Sequence, residues 1–306
     1  MADERVPGRI VKGVGGLYII ETDECIRACR PRGVFRKSSY RLTVGDMCEV
    51  SGGNDGVVGV IEMAFPRKNE LLRPSVSNID AAVVVTPADD IDLYSLDKYL
   101  VILGEQAAGG AFETAVLINK TDLADMNELN RLKKIYGSAG YPVFFFSAVT
   151  LDGDGALKDY IRGKTVALAG KSGAGKSSIV NALCGEYVAE VGELSKKILR
   201  GKHTTRHAEM FKHAGGGYVT DTPGFASVKF IGVTRADLKN YFIEFDNAAG
   251  GCRFGDCGHL NEPGCAVRDA VGRGISGERY ANYLKFYNEL PERAPSVKRT
   301  VAPVRT

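Results

Sequence analysis

The chain lacks any apolar run near the 18 residues that a membrane-spanning helix needs, so no span and no membrane partner are expected. Nor does a charged-then-apolar leader follow Met1-Ala-Asp-Glu-Arg5, and a cytoplasmic setting is the expectation. A strong excess of one charge is also missing. Forty basic residues against 37 acidic ones leave +3, too mild a balance to establish a polyanionic partner from composition. The basic residues do gather locally, at Arg30, Arg32, Arg36, Lys37 and Arg41 and again at Lys196, Lys197, Arg200, Lys202 and Arg206. Such clusters suit either phosphate contact or a solvated face. Compositional bias is absent: 44% hydrophobic and 25% charged residues fit a globular chain with a sizeable core, and 306 residues suit two domains, or three if some are small. Seven cysteines cannot all pair, and three crowd between positions 252 and 265, which in a reducing compartment suggests metal rather than disulfides.

What is present centres on Gly170-Lys-Ser172-Gly173-Ala174-Gly175-Lys176-Ser177, with the apolar run Thr165–Ala169 before it and the helix-compatible Ser178–Leu183 after it. Strand, glycine-rich loop and helix in that order form a phosphate-binding loop. Its glycines let backbone N–H groups close around an anion at the positive end of the helix dipole. Lys176 is expected on the β- and γ-phosphates, and the Ser177 hydroxyl on Mg²⁺.

From Ile79-Asp-Ala-Ala-Val-Val-Val-Thr86 onward, strands alternate with helices, which specifies a doubly wound α/β domain with ligands at the carboxyl ends of its strands. Two strand ends carry chemistry. Asn119-Lys120-Thr-Asp122 resembles the guanine-specificity element of GTPases: Asp122 can accept hydrogen bonds from guanine N1–H and the 2-amino group, a donor pair that adenine lacks. A buried, unpaired carboxylate there would reject ATP. Asn119 would brace the loops and the Lys120 stem would cover a face of the base, while Ser147-Ala148 looks like the element that offers backbone N–H to guanine O6. Beyond the phosphate loop, Asp221-Thr-Pro-Gly224 follows another strand, so Asp221 is expected to hold Mg²⁺ through water and Gly224 to sense the γ-phosphate. Thr205, or its neighbour Thr204, would complete the metal shell.

GTPases ordinarily place the guanine elements last, yet here positions 119 and 147 precede the loop at 170, so the domain is circularly permuted. Domain termini lie close together at the surface, and Arg162-Gly-Lys164 can join the old end to the old beginning. The permutation also joins the segment after Gly224 directly to the C-terminal region, to which nucleotide state should be transmitted.

Around this domain, short strand-like runs between residues 5 and 70 fit a small β-barrel, either an OB-fold that contacts RNA or a structural module. Cys25, Cys29 and Cys48 are expected to pack as small apolar groups there. Near the other end, Cys252-x₄-Cys257-x-His259-x₅-Cys265 supplies the donor set of a closed, structural zinc site, with free thiols as the alternative. Residues 274–290 read as an amphipathic helix whose stripe of Tyr280, Tyr283, Leu284 and Tyr287 favours packing over RNA stacking. The expected division is an OB-fold barrel over 1–70, the permuted GTPase over 75–230, a helical zinc module over 231–292 and a disordered basic tail over 293–306.

Taken together, Asn119 to Asp122, Gly170 to Ser178, Gly201 to Thr205, Asp221 to Gly224 and the run from Cys252 through Phe254, Asp256 and Glu262-Pro263-Gly264 to Cys265 resemble the bacterial ribosome small-subunit-dependent GTPase A family. The resemblance extends to about Leu290. It implies GTP hydrolysis to GDP and phosphate, slow alone and accelerated by the small ribosomal subunit, in late maturation of that subunit, with contact to rRNA by a monomer. One departure from ordinary GTPases concerns the attacking water. Phe225 stands where a water-orienting glutamine is usual, and its ring cannot hydrogen-bond. His203 is the candidate for that work, with RNA contact or turn capping as its alternatives, and Lys176 and Thr205 complete the catalytic set. Gly173 stands where potassium-activated GTPases resemble one another in carrying Asn, so no potassium requirement is expected. A phosphate-loop kinase would explain Gly170 to Ser177 but not the guanine elements. An RNA-binding assembly protein with GTP as a structural ligand is the other alternative.

Overall fold

A computed structural model describes residues 4–37, 40–53, 57–72, 75–185, 208–221, 229–230 and 232–292. The first strands, β1 (Val6–Val14), β2 (Leu17–Thr22), β3 (Ile26–Pro31), β4 (Met47–Ser51) and β5 (Gly59–Ala64), form a closed ring, with the short helix α1 (Gly33–Lys37) after β3. Antiparallel pairs run β1–β2, β2–β3, β4–β5 and β4–β1, and the parallel pair β3–β5 completes the OB order. Alternation sends Ile10, Ile20, Cys29, Cys48, Val50 and Ile61 inward. Cys25 does not join them: it is exposed in the β2–β3 turn, where its N–H donates to Thr22 Oγ1 at 3.1 Å.

A small hairpin, β6 (Glu70–Leu72) with β7 (Ser75–Ser77), leads out of the barrel. The joint is held by Asp46, fully buried, which accepts from Arg67 Nε at 2.6 Å, Ser77 Oγ at 2.7 Å and the Thr43 N–H at 2.9 Å. Buried charge is tolerated there because its lone pairs are filled.

Next come β8 (Ala81–Pro87), α2 (Leu93–Gln106), β9 (Glu113–Asn119), α3 (Met126–Ser138), β10 (Val143–Phe146), α4 (Asp154–Ile161), β11 (Thr165–Ala169), helix α5 over 176–185, β12 (Glu209–Lys212) and β13 (Tyr218–Asp221). The sheet order is β10-β9-β8-β11-β13-β12. All pairs are parallel except β12 against β13. β8 is buried at every residue, as a strand covered on both faces must be. Consequently β8, β9, β10, β11 and β13 deliver their last residues to one edge. The join made by the permutation is braced at the opposite edge: Tyr218 N–H donates to Lys164 O at 3.0 Å, and a side chain at Gly217 would strike that carbonyl at 2.3 Å. On the outer side of β12, Lys12 of β1 pairs with Glu209 in register and by a 2.8 Å ion pair, so barrel and α/β sheet are continuous.

The C-terminal region contains α6 (Asp246–Ala249), α7 (Ala266–Ala270) and α8 (Gly277–Glu289), whose N-cap Ser276 accepts from the Glu278 and Arg279 N–H groups. Its seam with α2 is ionic as well as apolar. Arg279, 1% exposed, pairs with Asp97 of α2 and with Glu244 at 2.6 Å, between the rings of Tyr136, Tyr141 and Phe242. Asn282 Nδ2 and Tyr136 Oη donate to the same Asp97 at 2.8 and 3.1 Å. Burial pushes the Asp97 carboxyl above its ordinary range, against the pull of Arg279. No helix among the described residues is long and apolar enough to cross a membrane.

Removing the guanidinium would strand two buried carboxylates. Arg279→Ala is expected to cost about 3–5 kcal/mol of stability in urea unfolding. A loss below ~1 kcal/mol would mean that the cluster is not desolvated in solution.

Candidate nucleotide site and cysteine–histidine cluster

Between β11 and α5 the chain must turn back under the sheet edge, and its glycines are needed there. Gly170 (φ +137°) lies where a Cβ would sit 2.2 Å from Val85 O, and Gly175 (φ +88°) where it would sit 2.2 Å from Asn119 Nδ2. Ala174 is buried beneath the loop, whereas Ser172, Gly173, Ser177 and Ser178 face outward. Lys176 curls across the loop, its Nζ donating to Gly170 O at 2.8 Å and Lys171 O at 2.7 Å. Burial lowers its pKa, since two carbonyls only partly replace water around an ammonium. A phosphate placed on the loop would restore that balance.

Asn119, at the end of β9, is buried and donates from Nδ2 to Ala174 O at 2.9 Å, which ties the two loops together. Its Oδ1 is buried without a hydrogen-bond partner among the described residues. Lys120 follows in the left-handed region (φ +62°), and its ammonium reaches Asp89. Asp122 is exposed rather than buried, and not unpaired: Ser147 Oγ donates to its Oδ1 at 2.5 Å. An exposed carboxylate with one oxygen held still presents the other for recognition, and desolvation must come with the ligand. Ser147 Oγ in turn accepts from Thr150 N–H at 3.1 Å, which shapes the turn that carries half-buried Ala148. At the phosphate end, Ser177 Oγ donates to Asp221 Oδ2 at 2.7 Å, so the two expected Mg²⁺ groups are already adjacent. This all-oxygen pair fits a hard cation that keeps several waters. His203, Thr204, Thr205, Gly224 and Phe225 lie outside the described residues, as do the basic cluster from Lys196 to Arg206 and the tail over 293–306.

The C-terminal donors converge. One ligand atom each from Cys252, Cys257, His259 and Cys265 lies within 4.8 Å of the others, and His259 Nδ1 is 3.7 Å from Cys252 Sγ and 3.5 Å from Cys265 Sγ. A tetrahedral centre with bonds of about 2.0–2.3 Å needs donor separations near ~3.7 Å. Tyr280 Oη donates to His259 O at 2.7 Å, and Glu262 accepts the Gly258 and Leu260 N–H groups at 2.7 Å each, which fixes the knuckle. Cys252 is held below the ordinary thiol range: burial opposes ionisation, but hydrogen bonds from the Val267 and Ala266 backbone outweigh it.

Comparison with known proteins agrees with this geometry. The profile described as RsgA GTPase matches residues 64–231, and that of the RsgA N-terminal domain matches residues 7–61. The chain belongs to the RsgA GTPase family. A relative from Caldanaerobacter subterraneus, named small ribosomal subunit biogenesis GTPase RsgA, is 41% identical over 293 residues, covering 95% of this chain and 97% of that one. Among solved structures, YloQ, described as a circularly permuted GTPase, superposes with a TM-score of 0.74 at 30% identity, covering 96% of this chain and 98% of its own. YjeQ from Thermotoga maritima gives 0.74 at 36% identity, covering 94% and 99%. The protein is therefore a GTPase whose permuted α/β domain follows an OB-fold barrel and precedes a cysteine–histidine module.

Two contacts at the RsgA-type site carry no sequence signal: Lys120 with Asp89, and Lys171 of the phosphate loop with Asp92 at 2.7 Å. Acidic residues in a connecting loop read as solvated surface.

Gly175→Ala would drive a methyl group into Asn119 at a backbone angle that L-residues avoid. Binding of fluorescent GDP should weaken by about tenfold or more, since both loops move. Unchanged binding would show that the two loops need not touch.

Proposed function

We propose that this GTPase acts in maturation of the small ribosomal subunit, that docking on the subunit stimulates its turnover, and that the loops flanking Asp221 report nucleotide state to the cysteine–histidine module. The observation that carries the nucleotide assignment is the convergence of Asp122, Asn119, Lys176 and the Ser177–Asp221 pair along one edge of one sheet. Asp122 would read the guanine N1–H and 2-amino donors, and Ser147-Ala148 would offer backbone N–H to O6. The glycine-rich backbone from Gly170 to Gly175, with Ser172 and Ser178, would enclose the phosphates, and Lys176 would move its charge from two carbonyls onto phosphate oxygens. Ser177 would hold Mg²⁺ directly and Asp221 through water, with Thr205 or Thr204 joining when GTP is present and Gly224 contacting the γ-phosphate. The bound metal would neutralise charge that develops on the phosphates.

The subunit assignment rests on the names of relatives such as those from Caldanaerobacter subterraneus and Agathobacter rectalis, each a small ribosomal subunit biogenesis GTPase. The barrel and the basic clusters would face rRNA, and the protein would work as a cytoplasmic monomer. Support for the readout is a joint built on Phe230, nine residues past Asp221. Its ring packs edge-on against Phe286 of α8 at 5.4 Å, and the ammonium of Lys98 of α2 lies 4.7 Å from it and 2.9 Å from Glu289. Phe230 is thereby held between α2 and α8, so a displacement of Phe230 would be felt in the module. Water would be aligned by His203, because Phe225 offers no hydrogen bond.

Steady-state GTP hydrolysis with and without isolated small subunits tests the reading. Stimulation is expected, and His203→Ala should reduce the stimulated rate by about 10²-fold without weakening nucleotide affinity. Normal GTP binding with no stimulation would favour an RNA-binding protein that uses GTP as a structural ligand, and a stimulated rate that survives His203→Ala would remove the water-aligning role.

The cysteine–histidine donors would hold one Zn²⁺ with no open position, which makes the metal structural. A chelator should extract one zinc per chain and raise amide exchange across 252–290. Metal loss that leaves exchange unchanged would contradict a structural role.

A further inference from the structure

The connection from β8 to α2, residues 88–92, touches both ends of the nucleotide site. Its backbone is fixed to the base loop: the Ala88 N–H donates to Asn119 O at 2.8 Å. Asp89 then receives the Lys120 ammonium on both oxygens, at 3.2 and 3.1 Å. At the other end Asp92 caps α2 through the Ser95 N–H at 3.0 Å and holds Lys171 of the phosphate loop at 2.7 Å. The connection is thus a bracket across two loops that lie far apart in the sequence.

From this we infer that Asp89 is a positioning residue for guanine recognition, acting through Lys120. The inference rests on the GTP reading of the site. Lys120 leaves the backbone in the left-handed region, so its Cα–Cβ direction is set, but a lysine stem retains large rotamer freedom. Anchoring the ammonium on Asp89 confines the stem to one course beside the loop that carries Asp122, before any ligand arrives. A base then meets a preformed apolar wall instead of ordering one.

The sign of the effect separates this from a bland surface ion pair. Asp89 places a negative charge in a site that accepts a polyanion, so electrostatics alone predicts that neutralising it tightens nucleotide binding. Positioning predicts the reverse.

The test uses the full chain and fluorescent GDP, with GTP turnover beside it. Asp89→Asn should weaken guanine-nucleotide affinity by about two- to fivefold, the range that an exposed ion pair supports. The loss should appear as faster release, and in KM rather than kcat. Asp89→Glu should restore affinity. In a Lys120→Met background, Asp89→Asn should have no further effect, because the side chain it acts through is gone. Tighter binding, unchanged binding, or the same loss in the Lys120→Met background would each overturn the proposal. A wild-type chain that binds no guanine nucleotide would instead overturn the GTP reading beneath it.

Discussion

The carboxamide of Asn119 is the contact on which the nucleotide site depends. It leaves the end of β9, reaches 55 positions ahead in sequence to Ala174, and holds the loop that carries Asp122 against the glycine-rich loop. No side chain fits between them, which is why Gly175 must be glycine. In the permuted order this link is formed by a strand that precedes the phosphate loop. Sheet pairing makes that order immaterial: β8 pairs in parallel with both β9 and β11, so the loops that follow those two strands emerge at the same edge whichever strand is made first. A parallel sheet places its strand ends by hydrogen-bond register, and register ignores where the chain was cut.

A second constraint sits on the far side of α2. There the helix is joined to the C-terminal module by a buried guanidinium rather than by apolar contact alone. Hydrophobic faces slide at small cost, whereas Arg279 between Asp97 and Glu244 satisfies its donors in one geometry. One helix therefore carries three connections: to the phosphate loop through Asp92, to the segment after Asp221 through Lys98, and to the module through Asp97. Burial of so many charges is costly in isolation, and it is compatible with folding because each has a partner of opposite sign or a hydrogen bond.

Much of this was legible in the sequence, for reasons that differ by region. The phosphate loop, the guanine elements and the cysteine–histidine run are chemistry with narrow tolerance, so residue type and spacing alone locate them. β8 is equally plain, because a strand buried on both faces must be apolar throughout. The strand β12 and the β6–β7 hairpin were not legible: each is three or four residues long and, unlike the equally short β10 and β13, leads into no recognisable motif. The Arg279 cluster was hidden for another reason: a charged residue on a helix reads as solvent-facing, and its partners lie 35 and 182 positions away. In α8 the tyrosine stripe was expected to pack, and it does, but Arg279 and Phe286, which lie outside the stripe, are buried as deeply as Tyr283. Asp122 illustrates the limit at the site itself. Its identity could be read, but not that it stays exposed with Ser147 on one oxygen.

The arrangement of the flanking modules follows from the same sheet. The segment 186–207 runs from α5 to β12, and β12 is the strand whose free edge is taken by β1 of the barrel. The segment 222–228 runs from β13 to Phe230, which is held against α2 and α8. The described residues that follow these two segments are thus held by different modules, β12 by the barrel and Phe230 by α2 and α8. On the function proposed above, a partner that grips the barrel and the C-terminal module together would act on both anchors at once. Small displacements at either joint would be felt at the nucleotide, because packed interfaces choose between discrete arrangements rather than deform smoothly. By reciprocity, the readout proposed above requires that nucleotide exchange alter how well the two modules fit a common surface.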